Sequence, residues 1–315
     1  MIDFRYHLVS LIAVFLAVAL GIVIGTTQLN EPILADIENQ VASLEQDKRA
    51  LEDTTQVLQM QVDTSEAFAQ AVSPALVDAS LANRRVLLVI AGEDVADETT
   101  EGVAALVEEA GGTVSGTIRL QPGYSDPAAA SSLQSYVTGP GLPTGLQLPE
   151  ADDAGQLVAS VLAQVLMAPP GGRPRDTSEI SSVLSGLNAL DAVTVEGSSV
   201  AAADFAVVLT AGAFGGEDAG ERNGALTDLL AAFDTAGSGV VVAGDAESAG
   251  ENGLVGAVRG DPSLSAAIST VDNAATAAGQ LSIVLALAAE GEGTSGNYGI
   301  GEDTQPVPPV PAAAQ

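Results

Sequence analysis

Carboxylates recur directly after short apolar runs: Asp94 beside Glu93, Asp218 beside Glu217, then Asp245 and Asp272. If those runs are parallel strands of one sheet, their C-terminal ends converge on the crevice where such sheets bind ligands. Several carboxylates there suit a hard divalent cation such as Ca²⁺ or Mg²⁺, which takes oxygen ligands. That cation is the one cofactor the residues suggest. With 41 acidic against 10 basic residues, ordinary solvated surface would give the same pattern.

Other chemistries fail on residue type. The chain has no cysteine, and its only histidine is His7, so neither a Ser-His-Asp nor a Cys-His arrangement is available to the body of the chain. A purely carboxylate enzyme stays open on composition, but the reading is that the protein is not an enzyme. A nucleotide site needs Gly-x-Gly-x-x-Gly after the first strand, with backbone N–H groups free for phosphate. Here Gly92 runs into Glu93-Asp94, and the turn Gly212-Ala-Phe-Gly215-Gly216 runs into Glu217-Asp218. Both turns repel phosphate. The net charge of −31 likewise argues against nucleic-acid partners.

The elements that would position these carboxylates follow from hydrophobic rhythm. Residues 85–91 form a continuous apolar run of the kind buried on both faces of a parallel sheet. A helix over 99–110, stopped by Gly111-Gly112, leads to a strand over 113–120. The alternation returns with strands at 205–210, 239–243 and 267–271 and helices near 223–236 and 275–289. The fold class expected for residues 84–290 is therefore an α/β, Rossmann-like domain with a mainly parallel sheet. Residues 122–195 read as a helical insertion or lid, with helices over 152–167 and 177–190. Residues 291–315, ending near Pro306-Val-Pro-Pro-Val-Pro, read as a disordered Pro-rich tail.

Residues 1–29 read as a transmembrane signal anchor around the uncharged run Leu8–Ile24, against a buried core helix or a cleaved signal peptide. Arg5 precedes the run and no basic residue follows it before Lys48. That bias places the N-terminus in the cytoplasm, open to a partner there, and the rest outside the inner membrane. Residues 30–73 read as a coiled-coil stalk, opened by Asn30-Glu31-Pro32 and closed by Pro74. Its a positions carry Leu34, Val41, Lys48, Thr55, Val62 and Ala69; its d positions carry Ile37, Leu44, Leu51, Leu58, Ser65 and Val72. Aliphatic d positions with polar Lys48 and Thr55 at a fit a two-stranded coil, through a homodimer or a partner protein's helix. The alternative is one amphipathic helix folded back on the domain.

The opening Met-Ile-Asp-Phe-Arg-Tyr-His-Leu-Val-Ser-Leu-Ile-Ala-Val-Phe-Leu-Ala resembles the start of the actinobacterial copper transporter family of MctB type. The block Ser269-Thr-Val-Asp-Asn-Ala-Ala-Thr-Ala-Ala-Gly-Gln-Leu and Tyr298-Gly-Ile-Gly are similar to it as well. The resemblance implies an envelope protein that keeps intracellular copper low, sometimes placed in the outer membrane as a channel. Its corynebacterial, SteB-type branch implies a membrane partner of a peptidoglycan hydrolase in septal cell separation, acting through coiled coils. Copper prefers thiolate, thioether and imidazole ligands, and this chain offers only His7, Met1, Met60 and Met167. The leading expectation is therefore a non-enzymatic scaffold for a cell-wall hydrolase. Copper transport or efflux is the alternative.

Overall fold

The computed structural model describes residues 4–310 except Glu93 and Asp152, and side chains except those of residues 26–35. The expectations attached to Glu93, to Asp152, to the side chain of Leu34 and to residues 1–3 and 311–315 lie outside the described residues. The chain divides into two units, residues 1–65 and 66–315.

The first unit is helix throughout its described residues, the N-terminal part of α1 (Phe4–Val77). Its apolar segment spans Phe4–Gly25, 22 residues of mean hydropathy 2.9, longer than the Leu8–Ile24 run because Phe4 and Tyr6 join it. At about 1.5 Å per residue it is long enough for a bilayer core. Every large apolar side chain in it stands exposed, which excludes the core-helix alternative. The backbone stays helical through residues 30–32, so the expected cap there is not formed.

Beyond it, the coil positions Ile37, Val41, Leu44, Leu51, Leu58 and Val62 are each about half exposed or more. Polar groups are satisfied within the helix. Lys48 Nζ pairs with Glu52 at 3.4 Å, Arg49 with Glu45 at 3.2 Å, and Thr55 Oγ1 donates to the Leu51 carbonyl. The structure thus shows one helix with an exposed aliphatic stripe.

In the second unit, α1 continues past Pro74 to Val77. A proline in the last turn forfeits one hydrogen bond, and burial of Ser73, Val77 and Leu81 on the domain holds the turn in place. Asn83, in the left-handed region at φ 61°, then turns the chain into the sheet.

The strands are β1 (Arg85–Ile90), β2 (Thr113–Leu120), β3 (Val193–Glu196), β4 (Phe205–Leu209), β5 (Val240–Ala243), β6 (Ser269–Val271) and β7 (Asn297–Tyr298). The helices after α1 are α2 (Asp97–Glu109), α3 (Pro122–Ser125), α4 (Ala130–Val137), α5 (Ala154–Leu166), α6 (Thr177–Asn188), α7 (Ala219–Ala236), α8 (Leu254–Gly260), α9 (Pro262–Ala267) and α10 (Ala277–Glu290). The order across the sheet is β3-β2-β1-β4-β5-β6-β7, parallel except for the β2–β3 pair.

Alternate strand residues serve opposite layers. Leu87, Val89, Ile118, Ala206 and Val208 pack with α3 through α8, whereas Val86, Leu88, Ile90, Val207 and Leu209 pack with α2 and α10. This is the expected α/β domain, with three corrections. Residues 122–195 are not a lid, because α5 is buried along most of its length and forms the centre of one helical layer. Val193–Glu196 is a strand, antiparallel to β2. The tail expected to be disordered from Gly291 instead supplies β7, because buried Asp272 and Arg259 bind its backbone.

Candidate functional site

The chain leaves β1 toward β2 on one side and enters β4 on the other, so the direction of winding reverses between β1 and β4. Side chains and turns diverge at such a point, leaving a crevice beyond the C-terminal strand ends. A cavity of about 250 Å³ occupies it, with Gly92 and Asp94 after β1, Gln121 and Tyr124 after β2, and Phe214 and Arg222 beyond β4. Gly212, at φ 66°, makes the sharp turn out of β4 that a residue with Cβ would resist. It donates its N–H to Asp245.

Arg222 lies in the first turns of α7 with its guanidinium carbon 5.6 Å from the centre of the Phe214 ring. Among the described residues it has no carboxylate within ion-pair distance, unlike Arg85, Arg119, Arg175 and Arg259. Tyr124 is 3% exposed, and its hydroxyl has no hydrogen-bond partner among the described residues. Burial, then the nearby Asp228 charge, push its ionisation far above the ordinary tyrosine range.

Tyr124 and Ser125 also border a second, larger cavity whose wall includes Asp126, Asp153, Glu221 and Asp228. A Cβ on Gly155 would meet Asp153 Oδ1 at 3.0 Å and Asp228 Oδ2 at 3.4 Å, so these carboxylates flank one spot. Burial first and Asp153 second raise the Asp228 pKa. Asp153 Oδ1 is meanwhile committed to the N–H of Gln156, where it caps α5.

The four predicted cation ligands do not come together. Asp94 lines the crevice and Asp218 is exposed ahead of α7. Asp245 accepts from Gly212 N at 3.1 Å and Ser248 N at 2.8 Å, tying the turn after β4 to the turn after β5. Asp272 is 1% exposed and accepts from Arg259 Nη1 at 2.9 Å, Ile300 N at 2.7 Å and Gly301 N at 3.1 Å. Among the described residues no three His, Cys, Asp or Glu side chains are grouped to hold a metal ion. Asp245 and Asp272 thus spend their oxygens on backbone N–H groups and, for Asp272, on Arg259, instead of facing a shared cation. Asp245→Ala is accordingly expected to cost about 1–3 kcal/mol from unmet backbone donors. The loss in thermal unfolding should be equal in Ca²⁺ and in chelator; a loss confined to Ca²⁺ would restore the cation reading.

Sequence reasoning placed Asp94 at this crevice but missed Arg222, Tyr124 and Gln121. The available signal was charge economy: an arginine a few residues after a Gly-rich turn, behind Glu217, Asp218 and Glu221, is conspicuous in a chain with ten basic residues.

A family model described as "Copper transport outer membrane protein, MctB" matches residues 1–309. Among curated proteins, the copper transporter MctB of Mycobacterium tuberculosis (strain ATCC 25618 / H37Rv) is 30% identical over 312 residues, covering 98% of this chain and 99% of that protein. The copper transporter MctB of Mycobacterium leprae (strain TN) is 31% identical over 319 residues, covering 96% and 97%. These matches favour copper transport over the cell-separation scaffold, to which they lend no support.

Proposed function

The chain belongs to the MctB family, and from that premise we propose that it is a membrane-anchored component of copper transport in the cell envelope. The observation that carries this reading is the extent of the match, which takes in the apolar helix, the rest of α1 and the α/β domain together. The helix Phe4–Gly25 anchors the protein, with its N-terminus in the cytoplasm and the α/β domain outside.

In this reading the chain acts through an assembly and not as a copper chelator. Copper favours sulfur and imidazole donors. His7 lies within the apolar segment, Met60 is exposed on α1, and Met167 is 1% exposed in the core beside α5. Nor do the strands offer a pore wall: both faces of the sheet are covered by helices.

The test is cell copper content during growth in copper, compared among the intact strain, a strain lacking the gene, and complemented strains. Loss of the gene should raise copper, and the intact gene should restore it. A His7→Ala, Met60→Leu, Met167→Leu variant should restore it equally. Unchanged copper on deletion would overturn the copper role. Failure of the variant, with the protein present at normal level, would overturn the indirect role.

A further inference from the structure

We propose that the crevice between β1 and β4 is a binding site for a free apolar α-amino acid, independently of any role in copper transport. Three observations converge. The first is its place, at the reversal of winding where sheets of this order receive ligands. The second is Arg222: among the described residues it has no carboxylate partner, in a chain where acids outnumber bases four to one. A guanidinium lining a cavity with its fork unused is the standard means of holding a carboxylate. The third is Tyr124, in the wall this crevice shares with the neighbouring cavity, whose buried hydroxyl lacks a partner among the described residues. Unmet buried polar groups are rare and are often completed by a ligand.

The remaining walls select the ligand. Leu120, Leu226 and Leu254 line the cavity together with the Phe214 ring, so part of the guest must be apolar. Among the described residues, Asp94 supplies the one carboxylate of the lining, suited to an ammonium group. One cation, one anion and an apolar wall describe the α-amino acid backbone with a hydrophobic side chain. Size agrees, since about 250 Å³ lies just below the range typical of drug-sized ligands. Net charge agrees as well. A field of −31 repels a net anion such as a nucleotide, but exerts no net force on a neutral zwitterion, which still gains the local Arg222 contact.

The experiment is calorimetric titration of the full chain in detergent with L-leucine, L-valine and L-phenylalanine. 4-Methylpentanoate, which lacks the amine, and 3-methylbutylamine, which lacks the carboxylate, serve as comparison ligands. At least one amino acid should bind, and both comparison ligands should bind at least about tenfold more weakly, reflecting one lost charge-assisted hydrogen bond. R222Q should weaken amino-acid binding by about tenfold or more. D94N should abolish the preference for L-leucine over 4-methylpentanoate. No heat from any of the three amino acids at concentrations on the order of 10 mM would overturn the assignment. Equal binding of L-leucine and 4-methylpentanoate by the wild type would also overturn it. The wild-type comparison decides the matter even where R222Q fails to fold.

Discussion

Removing the Arg259 side chain is expected to cost the α/β domain about 3–5 kcal/mol, the range found when a buried ion pair loses one partner. Arg259 binds three groups at once: Nη1 reaches Asp272 Oδ2 at 2.9 Å, Nε reaches Thr270 Oγ1 at 2.8 Å, and Nη2 reaches the Tyr298 carbonyl at 3.0 Å. Without it, the carboxylate of Asp272 would stay buried with only the Ile300 and Gly301 N–H groups opposite its charge. Urea unfolding of Arg259→Ala should show the loss directly. Arg259→Ala combined with Asp272→Asn should cost less than the two single losses added, because the second change removes the stranded charge. Additive losses would mean that the two side chains do not act as a unit.

The second large effect is a pH-dependent gain. Glu290, at the end of α10, accepts the Ser269 N–H at 2.7 Å while only 8% exposed. Burial raises its pKa from 4.5 to about 7; the Ser269 hydrogen bonds pull the other way, and Asp234 adds slightly to the rise. The folded value thus exceeds the unfolded one. Stability from this group is complete below about pH 4.5, drains as pH rises, and is gone once pH passes about 7. Glu290→Gln keeps an acceptor for Ser269 without the charge. It is expected to gain about 1–2 kcal/mol at pH 8 and almost nothing near pH 4.5. Thermal unfolding of both proteins at the two pH values measures the difference. An equal change at both would show that charge is not the cause.

Legibility in the sequence followed the physics of each element. β1 and β4 were plain because strands buried on both faces must be continuously apolar, as Val86–Ile90 and Phe205–Leu209 are. β3 was hidden because an antiparallel edge strand of four residues, with Thr194 and Glu196 only half-buried, looks like a loop. β7 was hidden more deeply. Its two residues sit in a Gly- and Ser-rich stretch and are held by Arg259, which no local pattern connects to them. α5 reads from sequence as a helix of an insertion or lid, although its run of apolar residues on nearly every side argues for a core layer. In the site, strand order made Asp94 accessible to reasoning. Arg222 and Tyr124 reach the crevice only through packing of α7 and α3. Asp245 and Asp272 do follow strands, but neither lines the crevice; their backbone partners stay out of reach of sequence reasoning, because a sequence does not show which backbone N–H groups a turn will leave unmet.

The absence of tryptophan gives the placement of the tyrosines an optical consequence. Of four tyrosines, Tyr6 belongs to the apolar helix, and the other three each mark a different junction of the domain. Tyr124 stands in the crevice wall, Tyr136 donates to the Val183 carbonyl to join α4 to α6, and Tyr298 lies within the last strand. With no indole to mask them, their near-ultraviolet signals separate by single Tyr→Phe subtraction. Filling of the crevice and release of the chain end can then be followed as two distinct spectral events, with no label attached.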